Sequence, residues 1–255
     1  MIRKIIIKIC NFIVYKLSNR ISNASHLARR NSMEGALAHI KKLGLKPATI
    51  IDVGAANGTP CLYNIFPDSF HFALEPLVEN EAALKELKNK YHLDYVITAI
   101  GSYEGQIKFN VHTDHLDGSS SLKEQSPEFD GIERVVAIHS LNKLCKEYKL
   151  KGPYLLKIDT QGSELDILKG CTEILNEIEY IILETSFFEF YKGQPIIEDI
   201  ILFLKEQGFT LYDICDVNYR ILDGACGQTD IAFVKKNGLF RSSNEFATIE
   251  QWKNR

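Results

Sequence analysis

Residues 154–170 constrain this chain more than any other stretch. Tyr154-Leu155-Leu156-Lys157-Ile158 is short, apolar and β-like. It stops at Asp159, turns through Gln161-Gly162, then takes up helical spacing with Leu165, Ile167 and Leu168 apolar and Gly170 as a stop. A strand that ends on a carboxylate and leads through a glycine turn into a helix is the ligand-bearing edge of an open α/β sheet. Ligands bind there because the carboxyl ends of parallel strands face a crevice.

The same grammar recurs upstream. Residues 49–53 read as a strand, and Gly54-Ala55-Ala56-Asn57-Gly58 as a small-residue turn. Thr59 is placed to cap the next helix, with Pro60 at its first position. Residues 70–75 form a second strand that ends on Glu75 and is broken by Pro76, followed by helical periodicity over 78–89 and a strand at 95–98. Downstream, a strand over 179–184 ends at Glu184, a helix over 196–207 stops at Gly208, and strands at 209–214 and 230–234 close the chain. Between the halves, 106–111 alternates like an extra strand, 117–121 is a polar loop, 135–138 is a strand and 140–148 a helix. This alternation predicts an α/β fold: a mostly parallel sheet with helices on both faces and an antiparallel C-terminal edge.

Length and composition bound the rest. A chain of 255 residues holds one such domain with a large core. We divide it into a helical extension over 1–44, whose second helix spans 31–44, a domain over 45–240 and a tail over 241–255. The net charge of -3 gives no global pull toward nucleic acid. The six cysteines lie far apart, none in a C-x-x-C pair, which argues for reduced thiols in a cytoplasmic protein rather than metal knuckles or redox dithiols.

Residues 1–20 differ from the rest. Up to Arg30 there are seven Lys or Arg and no acid. At helical spacing, Ile2, Ile5, Ile6, Ile9, Ile13 and Leu17 share one face, with Lys4, Lys8, Asn11 and Ser18 on the other. Lys8 and Asn11 interrupt the apolar run, which argues against a membrane span or a signal peptide. Two readings stand: peripheral contact with an anionic membrane on its inner face, or a helix packed on its own domain or in an oligomer.

Asp52 is followed by small residues, and Glu75 lies about twenty positions on, where an acid accepts hydrogen bonds from a ribose diol. The G-x-G-x-x-G fingerprint is absent, because Ala56 and Thr59 stand where its second and third glycines would fall after Gly54. A pyrophosphate is therefore not provided for, which sets aside a nicotinamide dehydrogenase. An adenosine ligand with an amino-acid tail, S-adenosylmethionine, fits better. The plainer reading keeps Gly54 and Gly58 as tight-turn glycines only.

These segments together resemble the FkbM family of class I methyltransferases. The residues that carry the likeness are Ile51-Asp52-Val53-Gly54-Ala55-Ala56-Asn57-Gly58, Leu74-Glu75-Pro76, and Leu156-Lys157-Ile158-Asp159-Thr160-Gln161-Gly162-Ser163-Glu164-Leu165 with Leu168-Lys169-Gly170. The last is close to the family's K-I-D-x-Q-G-x-E signature. Ser119-Ser120-Ser121-Leu122 and Ile182-Leu183-Glu184 echo it, and the likeness covers about residues 48–235. Asn57 sits one place later than in the family's G-A-N-x-G turn, and the basic N-terminal segment lies outside the family's core. The resemblance implies a Rossmann-like sheet and S-adenosylmethionine-dependent O-methylation of sugars, glycolipids, polyketides or peptides. By position, it implies that Asp52, Gly54, Ala55, Asn57, Gly58 and Pro76 contact the cofactor. Glu75 then holds the ribose, Thr98, Ala99 and Ile100 flank the adenine, and Asp159 and Gln161 sit beside the sulfonium and the acceptor. Ser119 and Ser120 fall on the acceptor side.

A hydroxyl acceptor needs a base. The candidates are Asp159, Glu184, His115 and His139. Asp159 leads because its strand end and its signature coincide, although Asp is also a favoured cap for the turn at Gln161-Gly162. His112 and His115 lie in the irregular stretch, where His115 beside Asp117 reads as a surface histidine, a base or a metal ligand. Asp159 and Glu184 are spaced for neighbouring strand ends, but two acids are no metal signature, so no required metal is expected. Phe187 and Tyr191 offer an aromatic platform for a sugar, with at least one of Phe187 and Phe190 expected in the core. Three readings remain open: an O-methyltransferase for a glycan or glycolipid, one for a soluble metabolite or peptide, and a non-catalytic nucleoside-binding assembly protein.

Overall fold

The computed structural model describes residues 32–253, so the basic segment over 1–20 lies outside the described residues. The described chain opens with helix α1 (Met33–Lys42). Strands β1 (Thr49–Val53), β2 (Phe70–Glu75) and β3 (Leu93–Ile97) then alternate with helices α2 (Pro60–Ile65) and α3 (Glu81–Lys90). Three small strands follow, β4 (Ala99–Ile100), β5 (Gly105–Val111) and β6 (Ile132–His139), and then helix α4 (Leu141–Glu147). The second half runs β7 (Tyr154–Ile158), α5 (Glu164–Lys169), β8 (Ile178–Ser186), α6 (Ile197–Glu206), β9 (Phe209–Tyr219), β10 (Cys226–Lys235) and α7 (Ile249–Lys253).

Seven strands make the main sheet in the order β3-β2-β1-β7-β8-β10-β9. Strand β1 pairs in parallel with β2 and β7, and these pair in parallel with β3 and β8. Strand β10 is antiparallel to both β8 and β9. This is the mostly parallel sheet with an antiparallel C-terminal edge that the strand and helix alternation predicts.

The central strands are mostly apolar, apart from buried polar residues such as Asp52 and Lys157, because helices cover both faces. On one side, Ile51, Val53, Phe72, Leu156 and Ile158 pack with Leu141 and Leu144 of α4, Ile167 and Leu168 of α5, and Ile200 and Leu204 of α6. On the other, Ile50, Leu155 and Ile182 pack with Leu37 and Ile40 of α1, Leu62 of α2 and Leu84 of α3. Each such side chain contributes about 1.5–3 kcal/mol on burial, which fixes the register of β1 between its neighbours.

Thr98 hands the chain from the main sheet to a second one. Its amide donates to the Glu75 carbonyl at 2.8 Å, and its hydroxyl donates to the Ala137 carbonyl at 3.1 Å. From there β4, β6 and β5 form a three-stranded sheet. Several strands outrun the sequence reading: β8 continues to Ser186, past Glu184, and β10 begins at Cys226 rather than 230. Strand β6 runs four residues beyond the apolar core of 135–138, because antiparallel pairing with β5 continues from Ile138 to Ile132. Strand β9 reaches Tyr219 through bulged pairing with β10, where the alternation of 209–214 stops. The Thr59 side chain makes no capping bond; instead its amide donates to the Tyr63 hydroxyl at 3.0 Å. Among the described residues, no helix is long and apolar enough to cross a membrane.

Candidate active site

Register brings three strand ends to one edge. Val53 lies beside Leu74 on one side and Ile158 on the other. The turn after β1, Glu75 and Asp159 are therefore neighbours in space. The turn needs its glycine: at Gly54 φ is +72°, and a Cβ there would sit 1.8 Å from the Asp159 carbonyl oxygen. Ala56 takes a positive φ of 44°, a region disfavoured for residues with a Cβ. Glu75 holds it there, accepting the Ala56 amide at 2.9 Å on one oxygen and the Leu77 amide at 2.9 Å on the other. Burial pushes the Glu75 carboxyl up, and these bonds, with one from Asn80, oppose the shift.

Beneath the turn lies a buried cation. Lys157 places its Nζ 3.0 Å from Asp52 Oδ1 and 3.6 Å from Asp159 Oδ2, and donates to the Gly54 carbonyl at 2.9 Å. Burial pulls the Lys157 ammonium down, but attraction by Asp52 and then Asp159 outweighs it, and the net shift is upward. The ion pair ties β1, its turn and the end of β7 into one unit.

The turn after β7 is closed by Glu164, which accepts the Thr160 hydroxyl at 3.0 Å and the Gly162 amide at 3.2 Å. Burial pushes Glu164 up to about 7, against those bonds. The capping role open to Asp159 in the sequence is thus taken by Glu164. Among the described residues no hydrogen bond ends on the Asp159 carboxylate, whose side chain is 42% exposed.

A cavity of about 820 Å³ opens over this edge. Gly54, Asn57, Glu75, Pro76, Thr98, Ala99 and Ile100 line it, as do Asp159, Gln161, His115, Ser119 and Ser120. Glu75 and Asp159 therefore share one pocket.

Seven other expected site residues, His139 among them, do not line the cavity. Asp52 is buried below the turn against Lys157. Ala55 is buried in the core layer of α1 and α2. Gly58 faces Leu87 and Tyr63, where a Cβ would come within 2.2 Å and 3.0 Å of them. Glu184 accepts the Gln228 amide nitrogen at 2.7 Å, and burial, then Asp159 and Asp230, push its carboxyl up to about 8. Phe187 is 41% exposed and Phe190 only part-buried, so neither is in the core as expected. Both follow the end of β8 at Ser186, past both layers of the main core. Tyr191 is the buried aromatic of that run; its hydroxyl donates to the Gly118 carbonyl at 3.2 Å and to Gln161 Oε1 at 3.5 Å, bracing the cavity wall from behind.

The histidines also separate. His115 pairs with Asp114, 2.9 Å from its Nδ1, rather than with Asp117. His139 lies outside the cavity lining, 2.6 Å from Glu104 and 3.2 Å from Lys143. Three polar residues at the site carry no role in the sequence reading. Lys157 and Glu164 stood in the signature itself, one a cation in an apolar strand and the other at a helix start, and both signals were readable. Asp166 lines the cavity and accepts the Ser102 amide at 3.0 Å and hydroxyl at 2.6 Å; an acid on a helix face gave no such signal.

The chain matches the family described as Methyltransferase FkbM domain over residues 52–211. It is 29% identical over 165 residues to the 2-O-methyltransferase NoeI of Sinorhizobium fredii (strain NBRC 101917 / NGR234), a match that covers 57% of this chain and 66% of the relative, just under two thirds of its length. Among solved structures, it is similar to a precorrin-6y C5,15-methyltransferase from Geobacter metallireducens GS-15, at 14% identity and a TM-score of 0.42, covering 78% of this chain and 86% of that one. It is also similar to the magnesium protoporphyrin IX methyltransferase of Synechocystis PCC 6803 with bound SAM, at 10% identity and a TM-score of 0.44, covering 79% of this chain and 76% of that one. Scores of this size carry no argument about chemistry.

Proposed function

The chain belongs to the FkbM methyltransferase-domain family, and from that premise we propose that it moves a methyl group from S-adenosylmethionine to a hydroxyl of a sugar in a glycan or glycolipid. The observation that carries this reading is the shared cavity of Glu75 and Asp159, on either side of the Gly54 turn. When bound, S-adenosylmethionine supplies an activated methyl group on its sulfonium. The Gly54 turn that borders the cavity and the acid at the end of β2 fit that molecule. The Glu75 carboxylate accepts two backbone amides and a bond from Asn80, which leaves one acceptor position for a ribose hydroxyl. Thr98, Ala99 and Ile100 border the place of the adenine, and Asn57 and Gly54 that of the amino-acid tail.

Asp159 takes the proton of the acceptor hydroxyl as its oxygen receives the methyl group, the S–CH3 bond of the donor breaking with its electron pair left on sulfur. Its carboxylate lines the cavity without a capping bond, with the Lys157 ammonium 3.6 Å away. Holding donor and acceptor in line supplies most of the rate gain, and the base supplies about 10²–10⁴-fold more. The hydroxyl-rich wall of Ser119, Ser120, Ser121 and Ser163 suits a sugar, which needs a few directed polar contacts. The relative's name, a 2-O-methyltransferase, supports oxygen as the atom methylated.

The test is incubation of the protein with labelled S-adenosylmethionine and a cell extract divided into lipid, glycan and small-molecule pools. Label in the glycan or lipid pool is expected. Label in the small-molecule pool moves the acceptor to a soluble metabolite or peptide. Donor binding with label in no pool overturns the enzyme reading.

A further inference from the structure

The acceptor side of the cavity carries a second set of ligating atoms. Nitrogen or carboxylate atoms of His112, Asp114 and His115, one from each, lie within 4.8 Å of one another. The two imidazoles stack with centroids 4.5 Å apart and planes 29° from parallel. His112 is buried, and its amide is held by the Ser119 hydroxyl at 3.0 Å. Its Nε2 makes no hydrogen bond among the described residues and lies 3.4 Å from Glu124 Oε1. Asp114 and His115 line the cavity, with side chains 83% and 57% exposed. Gly118 leaves the space the rings occupy: a Cβ there would sit 2.7 Å from His115 Cδ2 and 3.9 Å from His112 Cδ2.

We propose that His112, Asp114 and His115 bind one divalent transition-metal ion, with its open coordination positions facing the acceptor half of the cavity. Two imidazoles and a carboxylate suit zinc, cobalt or manganese rather than magnesium or calcium, which take oxygen ligands. Bonds of about 2.0–2.1 Å to a tetrahedral ion bring ligand atoms to roughly 3.3 Å from one another, so the set must close by up to about 1.5 Å. The exposed pair, Asp114 and His115, is free to turn, while His112 is the fixed member. Glu124 stands where a carboxylate beside a ligand imidazole fixes its orientation. Three protein ligands with positions left open is the pattern of reactive rather than structural sites. An ion there holds an acceptor oxygen and lowers the pKa of its hydroxyl, which eases proton transfer to Asp159. That role rests on the methyltransferase reading; the binding itself does not.

The test uses the full chain, stripped with a chelator and dialysed. Zinc is titrated by calorimetry and cobalt by visible absorption, with circular dichroism as the check on folding. One ion per chain is expected. Binding in His115→Ala and Asp114→Asn should weaken at least about tenfold, as loss of a ligand does, with spectra unchanged, and His139→Ala should bind as the wild type does. Should His112→Ala fail to fold, the two exposed ligands still decide. No stoichiometric ion on the wild type, or binding that His115→Ala and Asp114→Asn leave unchanged, overturns the proposal. S-adenosylmethionine affinity of the stripped protein is read alongside. Donor binding without metal binding sinks this inference alone, and metal binding without donor binding sinks the donor reading alone.

Discussion

The two halves of the cavity are built differently. On the half proposed for the donor, backbone turns are fastened by buried charge. Glu75 holds the turn after β1, Glu164 holds the turn after β7, and Lys157 joins both from below. On the half proposed for the acceptor, the wall is a loop over 112–122, held by uncharged hydrogen bonds of Ser119, Ser120 and Tyr191 and carrying the exposed Asp114 and His115. The difference teaches where geometry is fixed before a ligand arrives. A donor that is always the same molecule repays a rigid cradle, whereas an acceptor is met by side chains that still have freedom to turn.

The comparison breaks first at Lys157. Replacing it with Ala leaves the buried Asp52 carboxyl without its partner, and the expected loss is about 3–5 kcal/mol of unfolding free energy, read by urea denaturation. A loss under about 1 kcal/mol would mean that the donor half is not organised by this ion pair. Next comes Gly54→Ala, whose Cβ meets the Asp159 carbonyl at 1.8 Å with φ at +72°. It should cost about 1–3 kcal/mol and remove S-adenosylmethionine binding in calorimetry.

Acidity sharpens the contrast. Glu164 is held up to about 7 by burial. Its carboxyl ionises near pH 4.5 when unfolded but only near 7 when folded, so the folded state binds more protons between those values. Stability should therefore fall as pH rises from about 4.5 to 7, by at most about 1.4 kcal/mol per pH unit. Glu164→Gln should flatten that slope in thermal scans; an unchanged slope would assign it to other acids. The smallest effect belongs to the acceptor side. Phe187→Ala, at a side chain 41% exposed, should change stability by no more than about 0.5 kcal/mol. A larger loss would show that this segment is packed as tightly as the donor half.

The order of strands and the acids at their tips were legible because each is local: a β-like apolar run, a carboxylate, then a glycine. Partners across strands were not. Asp52 lies opposite Lys157 in the β1–β7 register, so an acid that reads as a cofactor contact is the counter-ion of a neighbouring strand. The clue was present, since a lysine inside an apolar strand needs a buried acid nearby, but only the register says which one. Phe187 failed for a similar reason. Aromatic content marks a residue for the core, while its place beyond the end of β8 decides otherwise. Asp114 displaced Asp117 as the partner of His115 because the turn at residues 116–118 is a 3-10 helix, which charge spacing does not reveal.

The account stands or falls on the division of labour between Glu75 and Asp159. The direct measurement pairs S-adenosylmethionine affinity by calorimetry with single-turnover methyl transfer to the acceptor pool, for Glu75→Gln and Asp159→Asn. Glu75→Gln should lose donor affinity by about ten- to a hundredfold, the worth of a charged hydrogen bond. Asp159→Asn should keep donor affinity within a few-fold and lose about 10²–10⁴ in transfer rate. Wild-type transfer by Asp159→Asn, or undiminished donor binding by Glu75→Gln, would contradict it.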